Sequence, residues 1–290
     1  MAIDAKKDLY SQKVNKALIH IQDHIGGQLS LECLAKVACL SPFHFHRIFS
    51  AYVGETLHHY VYRLRMDRAA FKLRYSKDTI TNIALALGYE TSAAFAKAFK
   101  QYFGVSPSQY RVQPTKNDSL QDKVAGDIFL SPEPAVDLPA DIRTLPEQRL
   151  LFIRKTGHYQ EAAQQAWSAL MPLAYQHTLV DEQTQFIGIT HDDPQITAAG
   201  KIRYDACLSL RKSLKTTGDL GVQTLAGGKY AVFLHAGPYY TMRETYQHIY
   251  GGWLPGSGHQ LRDLPSFALY LTPHNAVDSA QSRTEIHIPI

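Results

Sequence analysis

Cysteine is scarce: Cys33, Cys39 and Cys207 are the three in 290 residues. They are too few and too scattered for a disulfide framework, and a reducing compartment is the simplest expectation. No run of about 18 apolar residues occurs, which excludes a transmembrane helix. The first residues, Met1-Ala-Ile-Asp-Ala-Lys-Lys-Asp8, lack the apolar stretch of a secretory signal, so a cytoplasmic protein without a membrane partner is expected. Also missing are a P-loop, a dinucleotide fingerprint, a zinc signature and a Gly-x-Ser-x-Gly nucleophile elbow. Accordingly no cofactor, metal site or catalytic set is expected. What remains is 45% hydrophobic and 19% charged, an ordinary globular composition with length for about two domains.

The net charge of +4 conceals an asymmetry. Residues 1–112 hold 15 Lys+Arg against 8 Asp+Glu, or +7, whereas residues 113–290 hold 15 against 18, or −3. A basic half joined to a slightly acidic one points to a polyanionic partner for the first half alone. Between them, Gln113-Pro-Thr-Lys-Asn-Asp-Ser119 and Ser131-Pro-Glu-Pro134 are polar and proline-rich, which predicts a linker over 113–137. The domains are expected at 8–112 and 138–290.

Each half repeats itself. Leu34-Ala35, Phe45, Phe49, Gly54 and Tyr60 match Ile83-Ala84, Phe95, Phe99, Gly104 and Tyr110, at an offset of 49 and then 50. In the second half the offset is 80: Ile142-Arg-Thr-Leu145 matches Val222-Gln-Thr-Leu225, Gly157-His-Tyr159 matches Gly237-Pro-Tyr239, and 204–210 matches 284–290. The first half has helical spacing throughout, with Ser30 and Ser41 at helix starts and Pro42 at a first helical position. A helix from Thr56 to Tyr75 separates the two copies. The second half alternates strand, helix, strand, strand, twice; its second helix is expected over 240–254. The fold expected is therefore α + (α+β): an all-α double helix-turn-helix domain, then an α+β pseudo-twofold β-α-β-β repeat domain. Cys33 and Cys39, flanking a helix, are expected to fill the core.

A capped second helix after a short turn is the helix-turn-helix unit. A spacer of about 20 residues is ~30 Å long, close to the ~34–36 Å between successive major grooves on one face of DNA. The stretches Ser41-Pro-Phe-His-Phe-His-Arg-Ile-Phe49, Ile83-Ala-Leu-Ala-Leu-Gly-Tyr89, Phe95-Ala-Lys-Ala-Phe-Lys100 and Phe103-Gly-Val-Ser-Pro-Ser-Gln-Tyr-Arg111 resemble the AraC/XylS transcription-regulator DNA-binding domain. That resemblance implies base contacts from the first recognition helix at Phe43, His46 and Arg47. Arg47 suits a bidentate contact to guanine O6 and N7; Phe43 has a second reading, as a cap on the core. The second recognition helix offers Ser92, Ala93 and Lys97, two of them small, so it is expected to hold phosphates more than to read bases. Arg63 and Arg65 are expected to divide, one facing phosphate and the other pairing with Asp67 or Glu55, and Arg63 is counted among the DNA contacts.

In the second half, Gly157-His-Tyr159, His235-Ala-Gly-Pro-Tyr-Tyr240, Ile249-Tyr-Gly-Gly-Trp-Leu-Pro-Gly-Ser-Gly258 and Leu264-Pro-Ser-Phe-Ala-Leu-Tyr270 resemble the GyrI-like effector-binding domain. The resemblance implies a small-molecule groove between the repeats. Tyr159, Tyr239, Trp253, Phe267, Tyr270 and Asp205 are its candidate ligand residues. Relatives commonly carry Phe-Glu-x-Tyr where this chain has Phe267-Ala-Leu-Tyr270, so the glutamate that pairs with cationic ligands is replaced by Ala268. Asp205, Glu161 and Glu244 are substitutes to consider.

The reading is a DNA-binding transcription regulator whose partners are double-stranded promoter DNA, a small and aromatic effector, and RNA polymerase as a further candidate. A second reading is a small-molecule hydrolase or sequestering protein with only nonspecific DNA affinity, for which His235, Tyr239, Asp205 and Glu285 offer an acid–base set.

Overall fold

Hydroxyl side chains open the helices of the first unit in the computed structural model, which describes residues 2–112, 140–211, 214, 218–272 and 281–290. Ser30 accepts from the Cys33 amide at 3.2 Å and starts α2 (Leu31–Val37). Ser41 accepts from His44 at 3.4 Å and starts α3 (Pro42–Val53). Thr79 and Thr91 do the same for α5 (Ile80–Ala86) and α6 (Ser92–Phe103), each at 3.1 Å. Each bond satisfies an amide that the first helical turn leaves without a partner. Between the two copies runs α4 (Leu57–Tyr75), capped by Thr56. Its 19 residues give about 28 Å at a rise of 1.5 Å each. The helix α1 (Ala2–Asp23) precedes them and α7 (Pro107–Val112) ends the run.

The repeat is a repeat of packing. Phe45, Phe49, Phe95 and Phe99, spaced i and i+4 on α3 and α6, are all fully buried, and within each pair the rings lie about 5.5 Å apart. The turn after α2 corrects one expectation. Cys39 is exposed and carries a φ of 51°, because it holds the position that Gly88 holds after α5, where φ is 80°. Its exposure shows that Cys39 is not a core filler.

The connection between α1 and α2 meets the second copy where backbone touches backbone. A Cβ on Gly26 would lie 2.1 Å from the Ala86 carbonyl oxygen, and one on Gly88 would lie 2.6 Å from that of Gly26. Arg65 completes the joint by donating to the Ile25 and Gly27 carbonyls at 2.9 and 2.7 Å.

By density of contacts the chain divides into two units, Met1–Val112 with Lys212–Gln223, and Gln113–Arg211 with Thr224–Ile290. The linker expected at 113–137 lies outside the described residues.

The second unit carries one eight-stranded sheet in the order β1-β6-β8-β7-β3-β4-β2-β5. Its first repeat is β1 (Asp141–Leu145), β2 (Gln148–Gly157), α8 (Tyr159–Gln176), β3 (Phe186–Thr190) and β4 (Ile202–Ser209). The second is β5 (Gly221–Leu225), β6 (Gly228–Ala236), α9 (Met242–His248), β7 (Phe267–Tyr270) and β8 (Arg283–Pro289). The order reads the same when the repeats are exchanged. Each repeat lends its first strand to the other, β1 to β6 and β5 to β2. The halves join at the antiparallel β3–β7 seam, where Gly188 faces Ala268. The helix expected over 240–254 is present as one continuous helical run whose pitch changes, from a 3₁₀ turn (Tyr239–Thr241) through α9 and a π-turn (Ile249–Trp253) to a last α-turn (Leu254–Gly256). Gly251-Gly252 lies in the widened π-turn, where the regular helix is weakest.

A test of the joint is Gly26→Ala. Its methyl meets a carbonyl oxygen of another segment, which cannot rotate away, so the loss should be about 1–3 kcal/mol or more. The expected result is a fall of several degrees in the thermal midpoint of residues 1–112, read by far-ultraviolet circular dichroism. An unchanged midpoint would show that the joint is loose.

Candidate nucleic-acid interface and ligand site

With Phe45 and Phe49 turned inward, α3 presents Phe43, His44, His46 and Arg47 outward. Phe43 is 65% exposed and does not cap the core. The Arg47 guanidinium carbon stands 5.6 Å from the Phe43 ring centroid, so the ring supports the cation where it faces outward. On α6, Ser92, Ala93 and Lys97 are likewise exposed, with Lys100 a turn further on. These six predicted residues therefore lie on the open faces of the two second helices.

Arg63 does not. It is 4% exposed and bonded to Glu55 at 2.8 Å, with Asp67 3.6 Å away. The helical period places it beside Tyr60, Leu64 and Asp67 on the buried side of α4. Its role is to hold α4, and it has no access to phosphate. Arg65, bonded to the carbonyls that follow α1, is committed as well. The expected division between the two arginines gives way to two internal anchors.

In the strand unit, alternation along each strand separates two chemistries. The helix-bearing face of the sheet collects Tyr204, Gly188, Ala268 and Tyr270, with Phe233 and Ile286 beyond them. Tyr159, at the start of α8, meets Tyr204 edge-on at 5.7 Å. Tyr239 meets Tyr270 at 5.1 Å. Trp167 of α8 donates its indole N–H to the Tyr204 oxygen at 3.0 Å, and the Tyr204 and Tyr270 oxygens are 2.8 Å apart. Tyr246 of α9 joins the same group; Trp253 packs edge-on against Phe233 at 5.0 Å. Burial pushes the Tyr204, Tyr246 and Tyr270 phenols up, so they stay protonated. Four predicted ligand residues, Tyr159, Tyr239, Trp253 and Tyr270, thus share one face. Trp167, Tyr246 and the bare Gly188 complete the group.

Phe267 and Asp205 lie on the opposite face. Phe267 stacks on His287 at 4.3 Å and is buried there. Asp205 is gripped by Arg154 at 2.6 and 2.7 Å, with His191 Nε2 2.7 Å away. Adjacent residues on a strand point to opposite sides, so neither Asp205 beside Tyr204 nor Phe267 beside Ala268 reaches the tyrosines. Glu161 and Glu244 are exposed. The acidic group felt on the tyrosine side is Asp193, close enough to Tyr250 to raise its phenol. The acid–base set is likewise divided. His235 bonds Thr245 at 2.8 Å, while Glu285 holds Arg143 at 2.9 Å and His287 at 3.2 Å. Among the described residues no group of three or more His, Cys, Asp or Glu is placed to hold a metal ion.

Burial depresses two imidazoles from the ordinary 6.5 to about 4: His191, beside Asp205, Arg154 and Arg203, and His287, beside Glu285 and Arg143. Between pH 6.5 and 4 the unfolded chain binds protons there that the folded chain does not. Stability is therefore complete above pH 6.5 and is lost as the pH falls toward 4. The two tryptophans, Trp167 and Trp253, both report on this unit. Their fluorescence in urea should show a midpoint at pH 5 lowered by a few kcal/mol of stability relative to pH 7.5. Equal midpoints would mean that both rings charge freely inside the fold.

Comparison with known proteins adds the lineage. Residues 139–290 match the GyrI-like small molecule binding domain, and residues 34–113 match a helix-turn-helix domain. The HTH-type transcriptional activator AarP of Providencia stuartii is 33% identical over 110 residues, covering 38% of this chain and 82% of that protein. An HTH-type transcriptional regulator of Haemophilus influenzae is 38% identical over 103 residues, 36% of this chain. The chain spans about a third (35%) of the length of that relative. Among solved structures, the C-terminal domain of AraT, a response regulator from Geobacillus stearothermophilus, is 36% identical, with a TM-score of 0.33, over 34% of this chain and 83% of that one. No helix among the described residues is long and apolar enough to cross a membrane. The chain belongs to the GyrI-like small molecule binding domain family through residues 139–290, and it carries an AraC-type helix-turn-helix domain ahead of that domain.

Proposed function

We propose that this chain is a transcription regulator of the cytoplasm that binds promoter DNA through α3 and α6 and is modulated by a small effector held at the tyrosine face of its sheet. The observation that carries the reading is the pairing of two equivalent, capped, outward-facing helices with an α4 spacer of about 28 Å. That length approaches the spacing of successive major grooves. The sheet supports the effector half: aromatic side chains from both repeats converge on one face, as pockets between repeats require. RNA polymerase is the further partner proposed for a regulator bound at a promoter. The hydrolase reading loses its support from the acid–base candidates, which the sheet divides.

Within the interface, α3 is assigned base reading and α6 phosphate contact. Arg47, exposed and supported by Phe43, has the fork that guanine O6 and N7 accept. Lys97 is a point charge between small neighbours, suited to phosphate.

Arg47→Ala should lose about 1–3 kcal/mol of specific binding and relax preference at one base pair. Lys97→Ala should weaken all sequences alike and lower the salt dependence by about one counterion. Arg63→Ala should instead unfold the unit at lower temperature, because removing one partner of a buried ion pair leaves Glu55 and Asp67 uncompensated. Binding of the gene's upstream fragment by the full chain, over a salt series, measures the first two. Equal loss of base preference from Arg47 and Lys97 would overturn the division of roles.

A further inference from the structure

The hydroxyls at the centre of the tyrosine face carry an unspent proton. Three donors meet there, the Trp167 indole N–H and the Tyr204 and Tyr270 hydroxyls. Two oxygens receive them. Trp167 donates to Tyr204, and one hydroxyl proton joins Tyr204 to Tyr270. The third proton finds no acceptor among the described residues around the pair. Either hydroxyl can supply the shared proton, and both phenols are buried, so one O–H of the Tyr204–Tyr270 pair is left without an acceptor. Thr284, paired with Tyr270 across β7 and β8 on the same face, adds a second polar group: its hydroxyl oxygen is buried and without a hydrogen-bond partner.

The floor holds this donor in place. A Cβ on Gly188 would stand 2.3 Å from the Tyr204 oxygen and 2.7 Å from the Tyr270 oxygen, so the hydroxyl pair rests on the bare glycine. Across the seam Ala268 adds only a methyl group. Around the donor the walls are ring faces and edges, Tyr159 and Tyr239 from the two repeats. Asp205, the nearest carboxylate along the strand, is spent on Arg154 on the other face.

From these contacts we infer that the site takes an uncharged planar aromatic compound bearing a hydrogen-bond acceptor, a carbonyl or ring nitrogen, which receives the unspent proton of the Tyr204–Tyr270 hydroxyl pair. The inference rests on the reading of this face as the effector site and specifies its ligand class. A cation gains little from a donor aimed at it, and a plain hydrocarbon leaves the hydroxyl unsatisfied.

Three probes of similar size separate the cases: coumarin, which is neutral with a carbonyl; naphthalene, which is neutral without an acceptor; and N-methylquinolinium, which is cationic. Equilibrium dialysis against the full chain gives their affinities without optical interference. Coumarin should bind tightest. Tyr270→Phe should weaken it about three- to tenfold, the worth of one neutral hydrogen bond, and leave naphthalene unchanged. Ala268→Glu should move the preference to N-methylquinolinium, since a buried carboxylate requires a partner charge. Equal binding of coumarin and naphthalene by the unaltered chain, or equal losses in Tyr270→Phe, overturns the acceptor assignment. Preference of the unaltered chain for N-methylquinolinium overturns it in favour of Asp193 as an acidic anchor. If all three probes fail to bind, the effector reading of this face falls, and the ligand class with it. The wild-type series decides without any variant, so a misfolded substitution does not blunt the test.

Discussion

The buried arginine of α4 is the constraint on which the DNA-binding half depends. Arg63 sits under the helix with Glu55 at 2.8 Å and Asp67 at 3.6 Å. Charges so placed cost several kcal/mol each to desolvate, and only their mutual attraction offsets that cost. Asp67 rides on α4 with Arg63 and Glu55 stands two residues before it, so the three lie buried together with this face of α4 turned inward. From that orientation the other links follow. Arg65 reaches the carbonyls behind α1, and Tyr62 donates to the Ala98 carbonyl of α6 at 2.8 Å. The α4 helix is thereby tied to the turn after α1 and to α6. If α3 and α6 enter successive grooves as proposed, a spacer free to roll would leave their relative phase undefined, and paired grooves demand a defined one.

A comparable division governs the sheet. On β4, Tyr204 and Asp205 are neighbours in sequence and face opposite ways, one into aromatic rings, the other into Arg154 and His191. The repeat carries the pattern over: Thr284 and Glu285 stand in the same two positions on β8, and Glu285 binds Arg143. Each half thus keeps these ion pairs on the side of the sheet away from the tyrosines. Exchange of the first strands between repeats binds the halves into one sheet. Side chains from both repeats therefore meet across the β3–β7 seam at fixed register, which a pair of separate sheets would not provide.

Much of this was open to a reader of the sequence alone. Caps, glycine stops and the spacing of Phe45, Phe49, Phe95 and Phe99 act over a few residues, and the offsets of 49, 50 and 80 reflect packing that recurs. Arg47 and Lys97 were legible as exposed because the phenylalanines on their own helices occupy the inward positions. The separation of Phe267 from Ala268 and Tyr270 was also legible, since alternation alone puts them on opposite faces; grouping all three by proximity in sequence ignored it.

Tertiary structure decided the rest. Every residue from Ile202 to Leu208 is buried, so β4 has no polar face by which its sidedness is read, and only the partners show where Asp205 points. Arg63 and Arg47 are both arginines on amphipathic helices; which one is sealed depends on carboxylates eight residues before and four after, and on what closes over them. Cys39 looked like a core residue by type but takes a left-handed turn position that its repeat mate fills with glycine. Local sequence determined where helices and strands begin and which positions repeat, because capping and periodicity are short-range. How Asp205 is paired, and which ring hydroxyls meet, depend on contacts between residues far apart in the chain, and those exist only once the fold has closed.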